Sequence, residues 1–162
     1  MSENTLERLT LKIYPDSVLT QVCDPVEQFD PGLKKLLEKM HRLMKSEEGI
    51  GLAAPQVGIT KRFFVCRLPE GPISIINPKI ESSKGNHKMV EGCLSMPYTR
   101  VNVARNQTVR MSGYDADGNN IQVIGKDLWA HMLRHEIDHL NGVLISDHGK
   151  PISDSETGGR VS

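Results

Sequence analysis

Between residues 33 and 44 apolar side chains recur at steps of three and four: Leu33, Leu36, Leu37, Met40, Leu43 and Met44. Asp30-Pro31 stands just ahead, an N-cap side chain followed by a proline whose missing N–H the first helical turn does not need. This predicts an amphipathic helix ending near residues 46–49, its Leu/Met stripe turned to a core. Residues 10–26, with two prolines, read as loop with a short strand or turn, and the Gly/Pro-rich residues 49–58 as a shaped loop or irregular strand. The period then becomes that of β-structure. Strands are predicted over residues 62–68, 73–76, 100–104, 108–114 and 121–124, with Asp115-Ala116-Asp117-Gly118 turning the last pair into a hairpin. A final helix is expected from about residue 126 to 141, with Leu133, Ile137 and Leu140 inward and Gly142 as its stop. Residues 148–162 are polar and rich in breakers, and are expected to be a disordered tail. The reading is a single α+β domain over residues 1–147: antiparallel sheets packed around a central C-terminal helix, with one N-terminal amphipathic helix.

Composition narrows the function. Twenty basic side chains balance twenty acidic ones in 162 residues. No overall field therefore points to sequence-specific nucleic-acid binding or to a membrane surface. No apolar run approaches the ~18 residues of a membrane span. The first eight residues hold two acidic side chains and no apolar run, so neither a secretory leader nor a transit peptide is expected. Cys23, Cys66 and Cys93 are odd in number and widely spaced, which fits free thiols in a reducing cytoplasm better than a disulfide framework. Cys66, inside Phe63-Phe64-Val65-Cys66, is expected to be a small core residue.

The chemistry is concentrated in His135-Glu136-Ile137-Asp138-His139. At about 100° per residue, positions four apart lie one turn above each other, so two imidazoles on one helix face can share a metal ion. Glu136 projects near enough to handle a proton from a water on that metal. Asp138 is expected to point away, solvated or capping. A catalytic metal usually takes three protein ligands and keeps one position open. A His131/His135/His139 ladder is conceivable, but three residues over two turns of a straight helix diverge along its axis. Cys93 is the better third ligand. Its setting, Glu91-Gly92-Cys93-Leu94-Ser95-Met96-Pro97, reads as a tight loop shaped by glycine and proline rather than a core strand.

Three separated segments now carry a resemblance. Gly49-Ile50-Gly51-Leu52-Ala53-Ala54-Pro55-Gln56-Val57-Gly58, Glu91-Gly92-Cys93-Leu94-Ser95-Met96-Pro97 and His135-Glu136-Ile137-Asp138-His139-Leu140 resemble the three signature motifs of the peptide deformylase family, in the family's order and spacing. The resemblance runs from about residue 11 to 147. It implies that Cys93, His135 and His139 bind one divalent metal, Fe²⁺ in the native state with Zn²⁺, Ni²⁺ or Co²⁺ as replacements. It implies Glu136 as general acid/base, and Gln56 with the backbone N–H of Leu94 as donors to the oxyanion. The implied substrates are N-formylmethionyl nascent peptides, released with formate, and the implied setting is the ribosome. Ile50, Gly51, Met89, Leu128 and Met132 would line the methionine pocket, with Arg100 near the substrate backbone. Gly51 and Gly92 would leave room for that backbone to approach as a strand.

The chain also departs from the family pattern. Arg134 stands where a Gln is common, and helix geometry turns it away from the ligands. His131 replaces an apolar pocket residue. The polar tail offers no apolar stripe for docking at the ribosome through a C-terminal helix. Two other functions compete. A zinc endopeptidase shares H-E-x-x-H, but it would need a further ligand from the 23 residues after His139. A catalytically silent metal-binding interaction module would need a closed four-ligand site, against which the intact Glu136 and Gln56 speak.

Overall fold

The computed structural model describes residues 8–152 and 159–160. Helix α1 (Pro31–Ser46) begins where the sequence predicts: the Asp30 carboxylate accepts the Leu33 N–H at 2.9 Å, and Pro31 opens the first turn. Leu33, Leu37, Met40 and Met44 are buried, while Leu36 and Leu43 pack at the margin of the same cluster. Strand β1 (Gly51–Ala53) and a short helical turn (Ala54–Val57) follow, fully buried. Strands β2 (Phe63–Leu68), β3 (Gly71–Lys84), β6 (Thr108–Tyr114) and β7 (Asn120–Lys126) complete a five-stranded antiparallel sheet in the order β1-β2-β3-β6-β7. The predicted turn at Asp115 joins β6 to β7, its carboxylate accepting the N–H groups of Asp117 and Asn119.

The expected strand at residues 73–76 is less than half of β3. Asn77-Pro78 looks like a terminator, yet it makes only a bulge. Asn77 takes a left-handed φ of 52°, and the register against β6 shifts between Ile76 and Lys79. The Asn77 amide offsets the strain by accepting the Val26 N–H at 2.8 Å and donating to the Val26 carbonyl at 3.0 Å.

A smaller sheet holds β4 (His87–Cys93) and β5 (Met96–Arg105) as an antiparallel hairpin. Cys93 therefore closes a strand, not a loop, and only Leu94-Ser95 turns the chain. The third strand of this sheet, β8 (Gly159–Arg160), lies parallel to β4, with Glu91 opposite Gly159 and Gly92 opposite Arg160. Pro151 bridges Val101, and the Ile152 N–H donates to the Arg100 carbonyl at 2.8 Å. The C-terminal segment, expected as a disordered tail, thus pairs with the domain at two places. Residues 153–158 and 161–162, also within that expectation, lie outside the described residues.

Helix α2 (Leu128–Leu140) runs between the two sheets. Ala130, Met132, Leu133 and Leu140 pack on Phe64, Cys66, Ile75, Val109 and Met111 of the large sheet. Gly142 ends the helix at φ 74°, and the Leu140 carbonyl, past the reach of the helix's own N–H groups, accepts the Cys23 N–H at 2.9 Å and the Arg62 guanidinium at 3.1 Å.

Candidate active site

The histidine face of α2 looks the other way, toward the end of β4. One donor atom each from Cys93, His135 and His139 lies within 4.8 Å of the other two, and all three residues are buried. Cys93 Sγ stands 3.5 Å from His139 Nε2. His135 turns Nδ1 onto Glu91 Oε1 at 2.9 Å, which fixes the ring and leaves Nε2 for an ion. One sulfur and two imidazole nitrogens at this spacing fit a single divalent ion with a position left open. Burial keeps His139 uncharged, its pKa well below the usual value, with the neighbouring His135 acting in the same direction. Burial also pushes the Cys93 thiol up to about 12 against the opposing N–H groups of Ser95 and Met96. Coordination must therefore drive its proton off.

Glu136 is wholly buried and presses against β1. A Cβ at Gly51 would overlap the Glu136 carboxylate and come within 2.8 Å of its Cδ, so only glycine admits the carboxylate here. Gln56, also wholly buried, is oriented by hydrogen bonds. Its Oε1 accepts the Ala53 N–H at 2.9 Å, and its Nε2 donates to Ser95 Oγ at 3.1 Å and lies 3.8 Å from Cys93 Sγ. The amide N–H₂ is thereby aimed at the ligand cluster. Leu94, next after Cys93, is buried at the turn between β4 and β5.

The remaining expected residues are dispersed around this centre. Ile50 and Met89 are half-buried, and Gly51 and Gly92 are buried in β1 and β4. Leu128 is exposed at the start of α2, while Met132 is wholly buried among the core residues. Arg100 is exposed on β5, opposite Gly92. Arg134 stays on the flank, donating to Ser83 Oγ and Asn106 Oδ1. His131 takes no part in the ligand cluster among the described residues: its Nδ1 lies 2.5 Å from Glu91 Oε2.

Sequence reasoning missed a buried charge network behind Cys93, His135 and His139. Glu91 is completely buried and bidentate to Arg105, through Nε at 2.7 Å and Nη2 at 2.9 Å. Burial alone would raise its pKa, but the hydrogen bonds from His131, His135 and Arg105 prevail and hold it far below the usual carboxylate range. Asp138, expected to be solvated or capping, instead accepts from Arg105 Nη1 at 2.9 Å and His148 Nε2 at 2.8 Å. The reason is position: Asp138 lies one turn beyond Arg134 but next to the His139 face, within reach of the Arg105 fork. The one sequence signal was an acidic residue inside the Cys93 motif. Nothing in the sequence singles out Arg105, or Ser95 as the partner of Gln56.

Residues 9–155 match the polypeptide deformylase family model. A peptide deformylase of Thermotoga neapolitana is 41% identical over 142 residues, covering 87% of each chain. The crystal structure of a peptide deformylase from Legionella pneumophila superposes with a TM-score of 0.85 at 38% identity, covering 88% of this chain and 86% of that one. A Synechococcus elongatus peptide deformylase in complex with actinonin gives a TM-score of 0.84 at 39% identity, covering 91% and 81%.

Proposed function

Because the chain belongs to the peptide deformylase family, we propose that Cys93, His135 and His139 hold one divalent ion and that Glu136, Gln56 and Leu94 work around it. The activity is metal-dependent hydrolysis that takes the formyl group from an N-terminal formylmethionine. The observation that carries the residue assignment is the convergence of a thiol and two imidazoles on one point beside two wholly buried groups, Glu136 and Gln56.

When bound, the ion lowers the pKa of a water toward neutrality and polarises the formyl oxygen. Glu136 takes the proton of the attacking water and later gives it to the departing amine. Gln56 Nε2 and the Leu94 N–H donate to the oxygen on which charge develops, each such donor being worth about 10²–10³ in rate. The formyl carbon carries only hydrogen beside its oxygen and nitrogen, so it is less shielded from attack than an internal peptide carbonyl. Ile50, Gly51, Met89, Leu128 and Met132 line the methionine pocket. Gly92 and Arg100 support the substrate backbone.

The ion is Fe²⁺, with Zn²⁺, Ni²⁺ or Co²⁺ as replacements; the family resemblance favours iron, and a thiolate–imidazole donor set accepts all four. The substrates are nascent chains at the ribosome, in the cytoplasm, which the three buried free thiols support. Formate release from a short formyl-Met peptide by anaerobically purified protein tests the assignment. The iron form is expected to lose activity in air while the Ni²⁺ form keeps it. Equal decay of both forms would remove iron, and no release by protein holding one ion per chain would remove the site.

A further inference from the structure

Each oxygen of the buried Glu91 carboxylate receives two donors. Oε1 accepts from Arg105 Nη2 and His135 Nδ1, both at 2.9 Å. Oε2 accepts from Arg105 Nε at 2.7 Å and His131 Nδ1 at 2.5 Å. His131 and His135 stand one turn apart on α2 and so grip one carboxylate from the same face, one oxygen apiece. The second nitrogen of His135 belongs to the ligand set. The second nitrogen of His131 is engaged as well: Nε2 lies 3.0 Å from His87 Nδ1 and 3.1 Å from the His87 carbonyl. The two rings meet edge to face, with centroids 5.1 Å apart at 72°. His131 is completely buried, whereas His87 is half-buried at the start of β4.

A carboxylate set among these donors accepts from every one, so His131 Nδ1 carries a hydrogen, as His135 Nδ1 does. His131 Nε2 meets both polar groups of His87, so it is held either by accepting from His87 Nδ1–H or by donating to the His87 carbonyl. An apolar residue at position 131 would fill the volume but leave Glu91 Oε2 to Arg105 alone. We propose that His131 is a positioning residue of the metal centre. It holds Glu91 in the orientation that keeps His135 Nε2 directed at the ion, and His87 locks the His131 ring from outside. This rests on the ligand set proposed above.

The test compares His131→Leu, His131→Asn and His87→Leu, with Cys93→Ala as reference. The readouts are loss of Co²⁺ to a chelator, the visible spectrum of the Co²⁺ form, and kcat and KM on a short formyl-Met peptide. Removal of such outer partners typically costs about 10–100-fold in metal affinity or activity. His131→Leu is expected to lose Co²⁺ about tenfold more readily, with an altered spectrum, lower kcat and unchanged KM. His131→Asn, whose amide N–H can stand in for Nδ1–H, should recover most of that loss, and His87→Leu should show a smaller defect of the same kind. A folded His131→Leu protein with normal metal retention and spectrum overturns the inference. So do equal defects in the Leu and Asn variants, or a raised KM with metal retention intact, which would make His131 a pocket wall. Should His131→Leu not fold, normal retention in His87→Leu overturns it. Normal retention in Cys93→Ala overturns instead the ligand set on which the inference stands.

Discussion

The two sheets offer the same helix opposite surfaces. To α2 the five-stranded sheet presents Phe64, Cys66, Ile75, Val109 and Met111, an apolar face that Leu133 and Leu140 complete. The β4–β5 hairpin presents a buried glutamate, a buried thiol and a buried arginine. Burial drives folding on the first side, while on the second it is tolerated only because each polar group has partners. One side holds the helix in place. The other uses the held helix to aim imidazoles, and interference with each should fail in its own way.

The largest effect should come from a change that disturbs neither surface. Glu136→Gln keeps the volume that Gly51 accommodates but cannot cycle a proton. Turnover should fall by about 10³ or more, within or beyond the usual worth of a general base, with metal content and melting temperature near wild type. Near-normal formate release from a metal-replete variant would falsify the general-base role.

Next comes a paired experiment across the two surfaces. Glu91→Leu leaves the Arg105 guanidinium buried without its bidentate partner, which should cost about 3–5 kcal/mol. Met111→Ala empties a fully buried site on the other sheet and should cost about 2–5 kcal/mol. Chemical denaturation therefore reads the two alike. Metal titration should separate them, with affinity lowered about 10–100-fold in Glu91→Leu and unchanged in Met111→Ala. If both lose metal equally, the division of labour between the sheets is wrong.

A milder perturbation is pH. With the empty-site Cys93 thiol near 12, coordination displaces one proton from it around neutrality. His139, held neutral by burial, contributes no second proton. Raising the pH should therefore tighten binding, by about tenfold from pH 7 to 8, and lowering it should loosen binding. Isothermal titration in buffers of different ionisation heat counts the proton. No proton release on binding would mean that Cys93 is not a ligand.

The same contrast explains what could be read in advance. The apolar side advertises itself: α1, α2, β2, β6 and β7 show their buried faces as Leu, Met, Ile, Val and Phe at helical or strand period. β3 reads short in the sequence because Asn77-Pro78 looks like an ending, and the two hydrogen bonds to Val26 that carry the chain past it come from a distant segment. β4 is not legible as a strand, since its buried positions are Glu91, Gly92 and Cys93, and the charge of Glu91 is offset there by the side chain of Arg105 from the far end of β5. Cys93, His135, His139 and Glu136 stand out as candidates in the sequence because metal chemistry fixes residue type and spacing. The groups that orient them, Glu91, Ser95, Arg105 and His131, look in sequence like ordinary polar residues, and only tertiary pairing gives them work.

The smallest effect should follow removal of residues 153–162, which ends the chain after the Ile152 N–H donates to Arg100. The deletion takes away β8, two residues of parallel pairing on the edge of β4 beside Gly92. A short edge strand of this kind buries little and adds few ladder hydrogen bonds, each worth about 0.5–1.5 kcal/mol net. Stability should therefore drop by no more than about 1–2 kcal/mol. No proposed ligand, general base or oxyanion donor is lost, so kcat on a short formyl-Met peptide should stay within about twofold, far inside the 10² or more expected of catalytic groups. KM is the sensitive quantity. An extended substrate backbone that reaches Gly92 needs the β4 edge that β8 occupies, so the truncated protein should bind the peptide equally well or slightly better. A large fall in kcat without unfolding would show that β8 completes the small sheet as a working part of the site, and the contrast between a supporting sheet and an aiming hairpin would then extend to the last residues of the chain.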